Sequence, residues 1–278
     1  MAKIVGTLMS THVPAIGPAI VNKKQDDPYW KPFFDGFNYV HDWIAKVQPD
    51  VAVIFYNDHG LNFWLDALPT FAIGCAKEYF TKDEGWGIPR FTDFDGYEDL
   101  SWHIVDTVKA ADFDPVTCQE MYFDHALAVP MELTWPGVQR PIRIVPIEIN
   151  TVLFPTPTAK RCFNLGRAVG QAIESFGTDE KVLVMGTGGL SHQLEGQRAG
   201  FINRKFDIEF VESLPTNPEW GTQFSPEQIV ENTGTQGMEM INWLAARGTI
   251  QGDAKTMHVN YHIPISDTAS CVMVMEPA

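Results

Sequence analysis

The chain alternates between short apolar segments and stretches in which apolar residues recur at helical spacing. Seven segments have the apolar, β-branched character of buried strands: Lys3–Met9, Val51–Tyr56, Thr70–Cys75, Ile142–Ile149, Lys181–Met185, Met257–Ile263 and Ala269–Met275. Five stretches have helical spacing: Phe33–Val47, Leu100–Ala111, Ala159–Ser175, Phe206–Leu214 and Gly237–Arg247. We therefore predict one α/β domain, residues 1–278, in which helices cover both faces of a central mixed β-sheet.

Two stretches lack clear periodicity, Thr81–Gly96 and Leu214–Ser225. Long irregular segments are uncommon inside compact domains and are often functional or interface-forming. A plain surface excursion is the alternative interpretation for both.

Composition and charge exclude several classes of protein. The 278 residues include 20 Lys and Arg against 35 Asp and Glu, a net charge of −15, and 45% are hydrophobic. An acidic surface repels phosphate backbones and anionic lipids, so we expect neither a nucleic-acid partner nor a membrane-surface protein. The four cysteines are far apart without a CxxC pair, and the start of the chain resembles a strand rather than a signal peptide. These features favour a cytoplasmic protein with reduced thiols.

Four of the eight histidines occupy positions that suggest chemistry. His12, His59 and His192 each follow a predicted strand, and His125 lies in an irregular stretch before Val129-Pro130. In α/β sheets, ligands bind in a crevice at the carboxyl ends of strands. We therefore expect the strand-end histidines to share one crevice, whereas the other four look like ordinary residues of helices and strands.

The segment around His192 can be compared with two known kinds of site, a nucleophile elbow and a phosphate-binding loop. Gly189-Leu190-Ser191-His192-Gln193 lacks the second glycine of a nucleophile elbow, which weakens the case for serine hydrolysis. Gly186-Thr187-Gly188-Gly189 lacks the lysine and the spacing of a phosphate-binding loop. We interpret these glycines as positions where the backbone packs closely against a site.

A metal centre fits the histidines better. Imidazole suits iron, zinc and copper, and two histidines with one carboxylate form the ligand set typical of non-haem Fe(II) oxygen chemistry. Glu239 is a candidate carboxylate because bulky apolar residues flank it on an otherwise amphipathic helix, although a solvent-facing glutamate would show the same pattern. Asp58 is the other candidate. Spacing alone leaves both the metal, Fe or Zn, and the carboxylate open.

A series of ordered motifs carries a family resemblance from Met1 to about Met275. The motifs are Ser10–Gly17, Val53–His59, Asp83–Gly87, Asp124-His125, Gly186–Gln193, Arg198–Asn203, Gly237–Glu239 and Tyr261–Pro264. With them the chain resembles the LigB-type (type III) extradiol ring-cleaving dioxygenases, and within that family most of all the catalytic β subunits of protocatechuate 4,5-dioxygenases.

The resemblance implies a set of roles. His12, His59 and Glu239 match the family's Fe(II) ligands. His192 matches its acid/base histidine, and His125 a histidine that lines the substrate and oxygen pocket. The implied reaction opens a catechol ring beside its two hydroxyls with O2, converting protocatechuate into 4-carboxy-2-hydroxymuconate 6-semialdehyde.

Substrate and partner are further expectations from the resemblance. Asn57, Ser266 and Thr268 are candidate neutral donors to the substrate. Gallate and 3-O-methylgallate are alternative substrates because their dioxygenases share the motifs. A small helical α subunit covers the site in the two-subunit enzymes, and the end of this chain at Ala278 favours that (αβ)2 type. A Zn-dependent hydrolase and a non-catalytic paralogue on the same scaffold are the competing hypotheses.

Overall fold

The computed structural model describes residues 1–85, 91 and 93–278. Its strands are β1 (Lys3–Ser10), β2 (Val51–Tyr56), β3 (Phe71–Gly74), β4 (Glu78–Thr81), β5 (Phe94–Asp95), β6 (Val116–Cys118), β7 (Tyr122–Phe123), β8 (Arg143–Ile149), β9 (Lys181–Thr187), β10 (Ala254–Ile265) and β11 (Thr268–Pro277). Its helices are α1 (Ile16–Val21), α2 (Lys31–Asp35), α3 (Asn38–Val47), α4 (Glu98–Ala110), α5 (His125–Thr134), α6 (Ala159–Ser175), α7 (Arg204–Ser213), α8 (Glu219–Thr222), α9 (Pro226–Thr233) and α10 (Met240–Gly248). A 3₁₀ turn, Gln236–Glu239, leads into α10.

A mixed eight-stranded sheet forms the centre of the molecule, in the order β10-β11-β1-β9-β2-β8-β3-β6. The four middle strands β1, β9, β2 and β8 are parallel, while β11 and β3 run antiparallel to their neighbours β1 and β8. Parallel strands are normally buried on both faces and connected by helices. The predicted α/β class and mixed sheet are confirmed.

Helices pack on both faces of this sheet, as β2 illustrates. Its residues Val51, Val53 and Phe55 join a core shared with α4, α6, α7, α9 and α10. The alternate residues Ala52, Ile54 and Tyr56 join a second core shared with α1, α2, α3 and α5. Because successive strand side chains point to opposite faces, an entirely apolar strand supplies both cores. No helix among the described residues is long and apolar enough to cross a membrane.

The structure differs from the predicted elements in several places. The helix predicted over residues 33–47 is divided at Gly36, where a Cβ atom would lie 1.9 Å from Asn260 Nδ2 of the edge strand β10. The short helix α8 lies inside the stretch 214–225, for which the sequence predicts no regular structure. A small sheet β5-β4-β7 is absent from the predicted elements. Trp86 and Gly87, part of one motif, lie outside the described residues.

The parallel strands bring their carboxyl ends together at one edge. Ser10 at the end of β1 pairs with Thr187 at the end of β9, and Phe55 of β2 pairs with Gly186. The segments that follow these strands therefore start side by side. His12, His59 and His192 all lie in these segments.

Candidate metal centre

His12 follows β1 and is buried, with 3% of its surface exposed. Its Nδ1 lies 3.2 Å from Thr187 Oγ1, at the end of the neighbouring strand. Its Nε2 has no hydrogen-bond partner among the described residues, yet Glu239 Oε1 lies 3.1 Å away. A buried polar atom without a partner is costly. A nitrogen facing a carboxylate oxygen without a hydrogen bond between them is an arrangement that a bound cation would satisfy.

His59 follows β2, and Asp124 holds it in place. The backbone N–H and the ring Nδ1 of His59 both donate to Asp124 Oδ2, at 2.8 and 3.1 Å. Because a carboxylate only accepts, Nδ1 carries the proton and Nε2 is left with its lone pair when the ring is neutral. That Nε2 lies 3.5 Å from Glu239 Oε1. A metal-ligating histidine characteristically donates its second ring nitrogen to a carboxylate in this way.

Glu239 ends the 3₁₀ turn before α10 and is 4% exposed. Its Oε2 accepts a hydrogen bond from Gly189 N at 2.7 Å, and its Oε1 accepts one from Asn57 Nδ2 at 3.3 Å. Burial opposes its ionisation, but His12 and His59 hold the pKa of Glu239 well below its usual value. The helix predicted over Gly237–Arg247 is present as the 3₁₀ turn and α10, but its predicted amphipathic character is wrong, because every residue of α10 is buried. Glu239 faces the histidines, which excludes the solvent-facing alternative.

Asp58, the other candidate carboxylate, stabilises the backbone of the segment that follows it. Its oxygens accept hydrogen bonds from the backbone N–H groups of Gly60, Leu61, Asn62 and Phe63. It thereby closes the turn that follows His59. Of the two carboxylates considered from the sequence, Glu239 is therefore the one that lies beside His12 and His59.

The three histidines His12, His59 and His125 form a tight group. One ring nitrogen of each lies within 4.8 Å of the others. The rings of His59 and His125 are stacked with centroids 4.2 Å apart, and His12 meets both edge-on at 5.4 Å. Two sets of possible ligands include His12 and His59, completed by either Glu239 or His125, and Glu84, Asp124 and His125 form a further group among the described residues. Glu239 Oε1 lies 3.1 Å from His12 Nε2 and 3.5 Å from His59 Nε2.

His125 is the first residue of α5, so its predicted position in an irregular stretch is wrong. Its Nδ1 lies 2.7 Å from Glu84 Oε1, and its backbone N–H donates to Glu84 Oε2 at 2.9 Å. Burial, together with the neighbouring His59, lowers the pKa of His125. Its ring is 5% exposed and lies against both other histidines of the group.

His192 follows β9. Its Nε2 lies 3.7 Å from Glu239 Oε2, whereas His12 and His59 approach the other oxygen of Glu239, Oε1. Its backbone N–H donates to Thr233 O at 2.8 Å, and its Nδ1 donates to Leu190 O at 2.9 Å. Because a carbonyl only accepts, this bond leaves the lone pair of a neutral ring on Nε2. Burial lowers the pKa of His192, which favours the neutral form.

Glycines allow this close packing. Gly188 has a φ of +139°, and a Cβ atom there would lie 2.6 Å from Glu239 Cβ. A Cβ atom on Gly189 would lie 2.7 Å from His192 Cε1. The backbone of this segment therefore approaches both side chains more closely than any larger residue permits.

The three candidate substrate residues have different surroundings. Asn57 is fully buried and bonded to Glu239, His59 and Asn242, so its amide supports the centre. Thr268 is 3% exposed and pairs through its backbone with His192. Ser266 lies in the exposed turn between β10 and β11, with a φ of +51°.

Sequence reasoning assigned no role to Asp124 or Glu84. Asp124 is the N-cap of α5, where its Oδ1 accepts from Ala126 N at 2.8 Å. An Asp directly before an apolar run is a recognised helix-start signal, and it is present in the sequence. Nothing in the sequence pairs Glu84 with a histidine 41 positions away.

The chain is similar to known proteins both in sequence and in fold. A family model described as the catalytic LigB subunit of aromatic ring-opening dioxygenase matches residues 6–273. The gallate dioxygenase of Pseudomonas putida KT2440 is 36% identical over 196 residues, which are 70% of this chain and 57% of that enzyme. The chain therefore spans little more than half the length of that relative.

Two further similarities extend over more of both chains. The 2,3-dihydroxyphenylpropionate/2,3-dihydroxicinnamic acid 1,2-dioxygenase of Rhodococcus jostii RHA1 is 28% identical over 267 residues, covering 79% of this chain and 82% of that one. The crystal structure of the uncharacterized protein JW3007 from Escherichia coli K12 shares the fold, with a TM-score of 0.55 at 14% identity over 85% of this chain and 91% of that one. The sequence motifs, the α/β fold and the match over residues 6–273 together show that the chain belongs to the LigB family.

Proposed function

We propose that this protein opens the ring of a catecholic aromatic acid with O2, using Fe(II) held by His12, His59 and Glu239. The observation that carries the proposal is the approach of two imidazole nitrogens to Glu239 Oε1, at 3.1 and 3.5 Å, in a member of this family. Two histidines and a carboxylate are the donors that non-haem Fe(II) prefers. Bound there, Fe(II) supplies chelation of the two catechol oxygens and activation of O2.

Glu239 is the better third ligand than His125 for two reasons. It approaches both histidines directly, and its second oxygen is fixed by Gly189 N at 2.7 Å. The Nδ1 of His125 is already engaged by Glu84. His125 is then free to contact the substrate beside the metal.

His192 is the proposed acid/base. Its neutral ring presents the Nε2 lone pair on the Glu239 side of the centre and is suited to accept a proton from a catechol hydroxyl. The same nitrogen then returns the proton to an oxygen on which negative charge develops as the ring opens. General acid–base catalysis of this kind requires a group that changes protonation state within the reaction.

Protocatechuate and gallate are the two proposed substrates. Protocatechuate rests on the resemblance to the β subunits of protocatechuate 4,5-dioxygenases, and gallate is supported by the 36% identical gallate dioxygenase. No Lys or Arg side chain among the described residues bonds to the acids or histidines of the centre. We therefore assign the ring carboxylate to neutral donors, Thr268 beside His192 and Ser266 in the adjacent turn.

A small helical α subunit is the proposed partner, in an (αβ)2 assembly. Large exposed apolar side chains in the segments that follow two of the histidines support this proposal: Trp64 and Leu65 follow His59 in the chain, and Leu194 follows His192. They are 61%, 83% and 57% exposed. An exposed apolar patch is typical of an interaction surface. A chain that is fully active and monodisperse alone would contradict this partner.

The test is an oxygen-uptake screen on anaerobically purified protein of known metal content. Protocatechuate, gallate, 3-O-methylgallate, 2,3-dihydroxyphenylpropionate and catechol are each added to the Fe(II)-loaded chain. We expect uptake of one O2 per ring cleaved with protocatechuate or gallate. No uptake with any of them at full iron occupancy would overturn the proposal, and selective retention of zinc would favour the hydrolase.

A further inference from the structure

Glu84 turns inward from an otherwise exposed segment. Residues 82, 83 and 85 are exposed, whereas the Glu84 side chain is only 8% exposed. Among the described residues, both of its oxygens hydrogen-bond to the same residue of another element, His125. Oε1 lies 2.7 Å from the ring Nδ1 of His125, and Oε2 accepts from the His125 backbone N–H at 2.9 Å.

The chemistry of this pair determines which ring nitrogen carries the proton. An ionised carboxylate has no hydrogen to donate, so Nδ1 must be the donor. A neutral His125 then keeps its lone pair on Nε2, the nitrogen away from Glu84. The stacked ring of His59 and the edge-on ring of His12 constrain the plane of the imidazole.

We propose that Glu84 is a positioning residue that fixes both the orientation and the tautomer of His125, so that Nε2 faces the catalytic centre as a hydrogen-bond acceptor. The proposal deepens the function proposed above and rests on it. It assigns His125 the acceptance of a hydrogen bond from a substrate hydroxyl and excludes donation by the neutral ring.

Helix capping alone does not account for Glu84. The N-cap of α5 is Asp124, whose Oδ1 accepts from Ala126 N. Glu84 accepts another of the free N–H groups of the first turn, and the positive end of the helix favours both carboxylates. A helix cap needs only one oxygen, however, and the second oxygen of Glu84 lies 2.7 Å from Nδ1 of the His125 ring.

The substitution Glu84→Gln separates these roles. A carboxamide has one accepting oxygen, and the His125 backbone N–H always requires an acceptor. The amide oxygen satisfies that N–H, and the NH2 group then faces Nδ1. Nδ1 must become the acceptor, which moves the ring proton to Nε2. Glu84→Asp keeps two accepting oxygens and is expected to recover part of the loss.

The first experiment is a double-mutant cycle on the Fe(II)-loaded chain. We expect Glu84→Gln to retain iron and to lower kcat about 10–100-fold, the usual effect of removing a residue that orients an active-site group. In a His125→Phe background, Glu84→Gln should have no further effect. Asp83→Asn is the matched control, because Asp83 is exposed and its bond among the described residues is from Gly85 N, at 2.9 Å, so activity should be unchanged. Equal losses from Glu84→Gln with and without His125 would overturn the proposal.

The second experiment requires no turnover. Nitrogen-15 NMR of the histidine side chains distinguishes the Nδ1–H from the Nε2–H tautomer, and His125→Phe identifies the His125 signals by their loss. In the full chain purified without added metal we expect the Nδ1–H tautomer, and a shift to Nε2–H in Glu84→Gln. An Nε2–H tautomer in the unmodified chain would refute the assignment. Since no catalysis is involved, this measurement is independent of the oxygen-uptake screen, which tests the proposed function.

Discussion

A single oxygen of Asp124 holds His59 at two points, the backbone N–H at 2.8 Å and the ring Nδ1 at 3.1 Å. The other oxygen caps α5 through Ala126 N. Burial opposes ionisation, but His59 keeps the pKa of Asp124 below its usual value, so the carboxylate accepts at all these contacts. The same side chain therefore starts a helix and aims a candidate metal ligand.

Asp124→Asn should weaken iron binding. The amide retains one accepting oxygen for the helix cap but places an NH2 group against the two donors of His59. We expect metal affinity to fall about 10–100-fold, as found when residues that orient ligands are replaced. Chelator competition measures this affinity. Glu132→Gln is the control, since Glu132 lies on the same helix and, within the described part of the chain, accepts from Gly137 N. An unchanged affinity in Asp124→Asn would contradict the orienting role.

Glu239→Ala and His125→Phe distinguish the two ligand sets that contain His12 and His59, and His59→Ala tests a ligand common to both. Glu239→Ala and His59→Ala should each lose bound iron, because the two-histidine, one-carboxylate set becomes incomplete. His125→Phe should keep its iron. Iron content after anaerobic purification is the measurement. Retention in Glu239→Ala together with loss in His125→Phe would instead identify His12, His59 and His125 as the ligands.

His192→Phe should keep iron and lose turnover. Removing a general acid–base typically costs about 10²–10⁴-fold in rate. Steady-state oxygen uptake at matched iron content measures this loss. His103→Phe is a suitable control because His103 lies on α4 and its ring bonds to Ser175 Oγ, at 2.9 Å, instead of to any group of the candidate centre that the structure describes. Near-normal turnover in His192→Phe would transfer the base role to His125.

Gly188→Ala should damage both stability and the centre. The φ of +139° is unfavourable for alanine, and the new Cβ would lie 2.6 Å from Glu239 Cβ. Backbone strain of this kind costs about 1–3 kcal/mol, which urea denaturation measures as a lower free energy of unfolding. Gly177→Ala serves as control because a Cβ atom added at Gly177 would meet no heavy atom of the described residues within 4 Å. Iron content should fall only in Gly188→Ala.

Glu148 makes the free energy of unfolding of the protein depend on pH. It is 2% exposed on β8, and its Oε2 has no hydrogen-bond partner among the described residues. Burial, with Asp58 and Asp124 nearby, raises the pKa of Glu148 well above its usual value. The folded state therefore holds this proton more tightly than the unfolded state, and stability is lost as the pH rises through the folded pKa.

Glu148→Gln removes this penalty because glutamine is shaped like the protonated acid and cannot ionise. Below the pKa of the unfolded glutamate, the variant and the parent should have similar melting temperatures. The variant should become the more stable of the two as the pH rises. A difference in melting temperature that does not change with pH would show that Glu148 does not titrate in this way.

Local periodicity predicted much of the fold but missed helices buried on all sides. The strand Val51–Tyr56 and the helix Ala159–Ser175 have the bounds predicted from the sequence. Helix α5 was missed because nine of its ten residues are buried, which leaves no polar face to define a period. Helix α10 was assigned as amphipathic but is buried throughout.

The sequence by itself determined the fold class, the positions of His12, His59 and His192 beyond strand ends, and the likeness to the LigB family. Tertiary structure alone decided which ring nitrogen of His59 and of His125 faces the centre. That choice depends on hydrogen bonds between distant residues, Asp124 with His59 and Glu84 with His125, 65 and 41 positions apart. Hydrophobic periodicity indicates which face of a helix or strand is buried, because burial acts on each residue separately. Periodicity does not indicate which hydrogen-bond donor meets which acceptor, because that pairing arises only when the elements have packed.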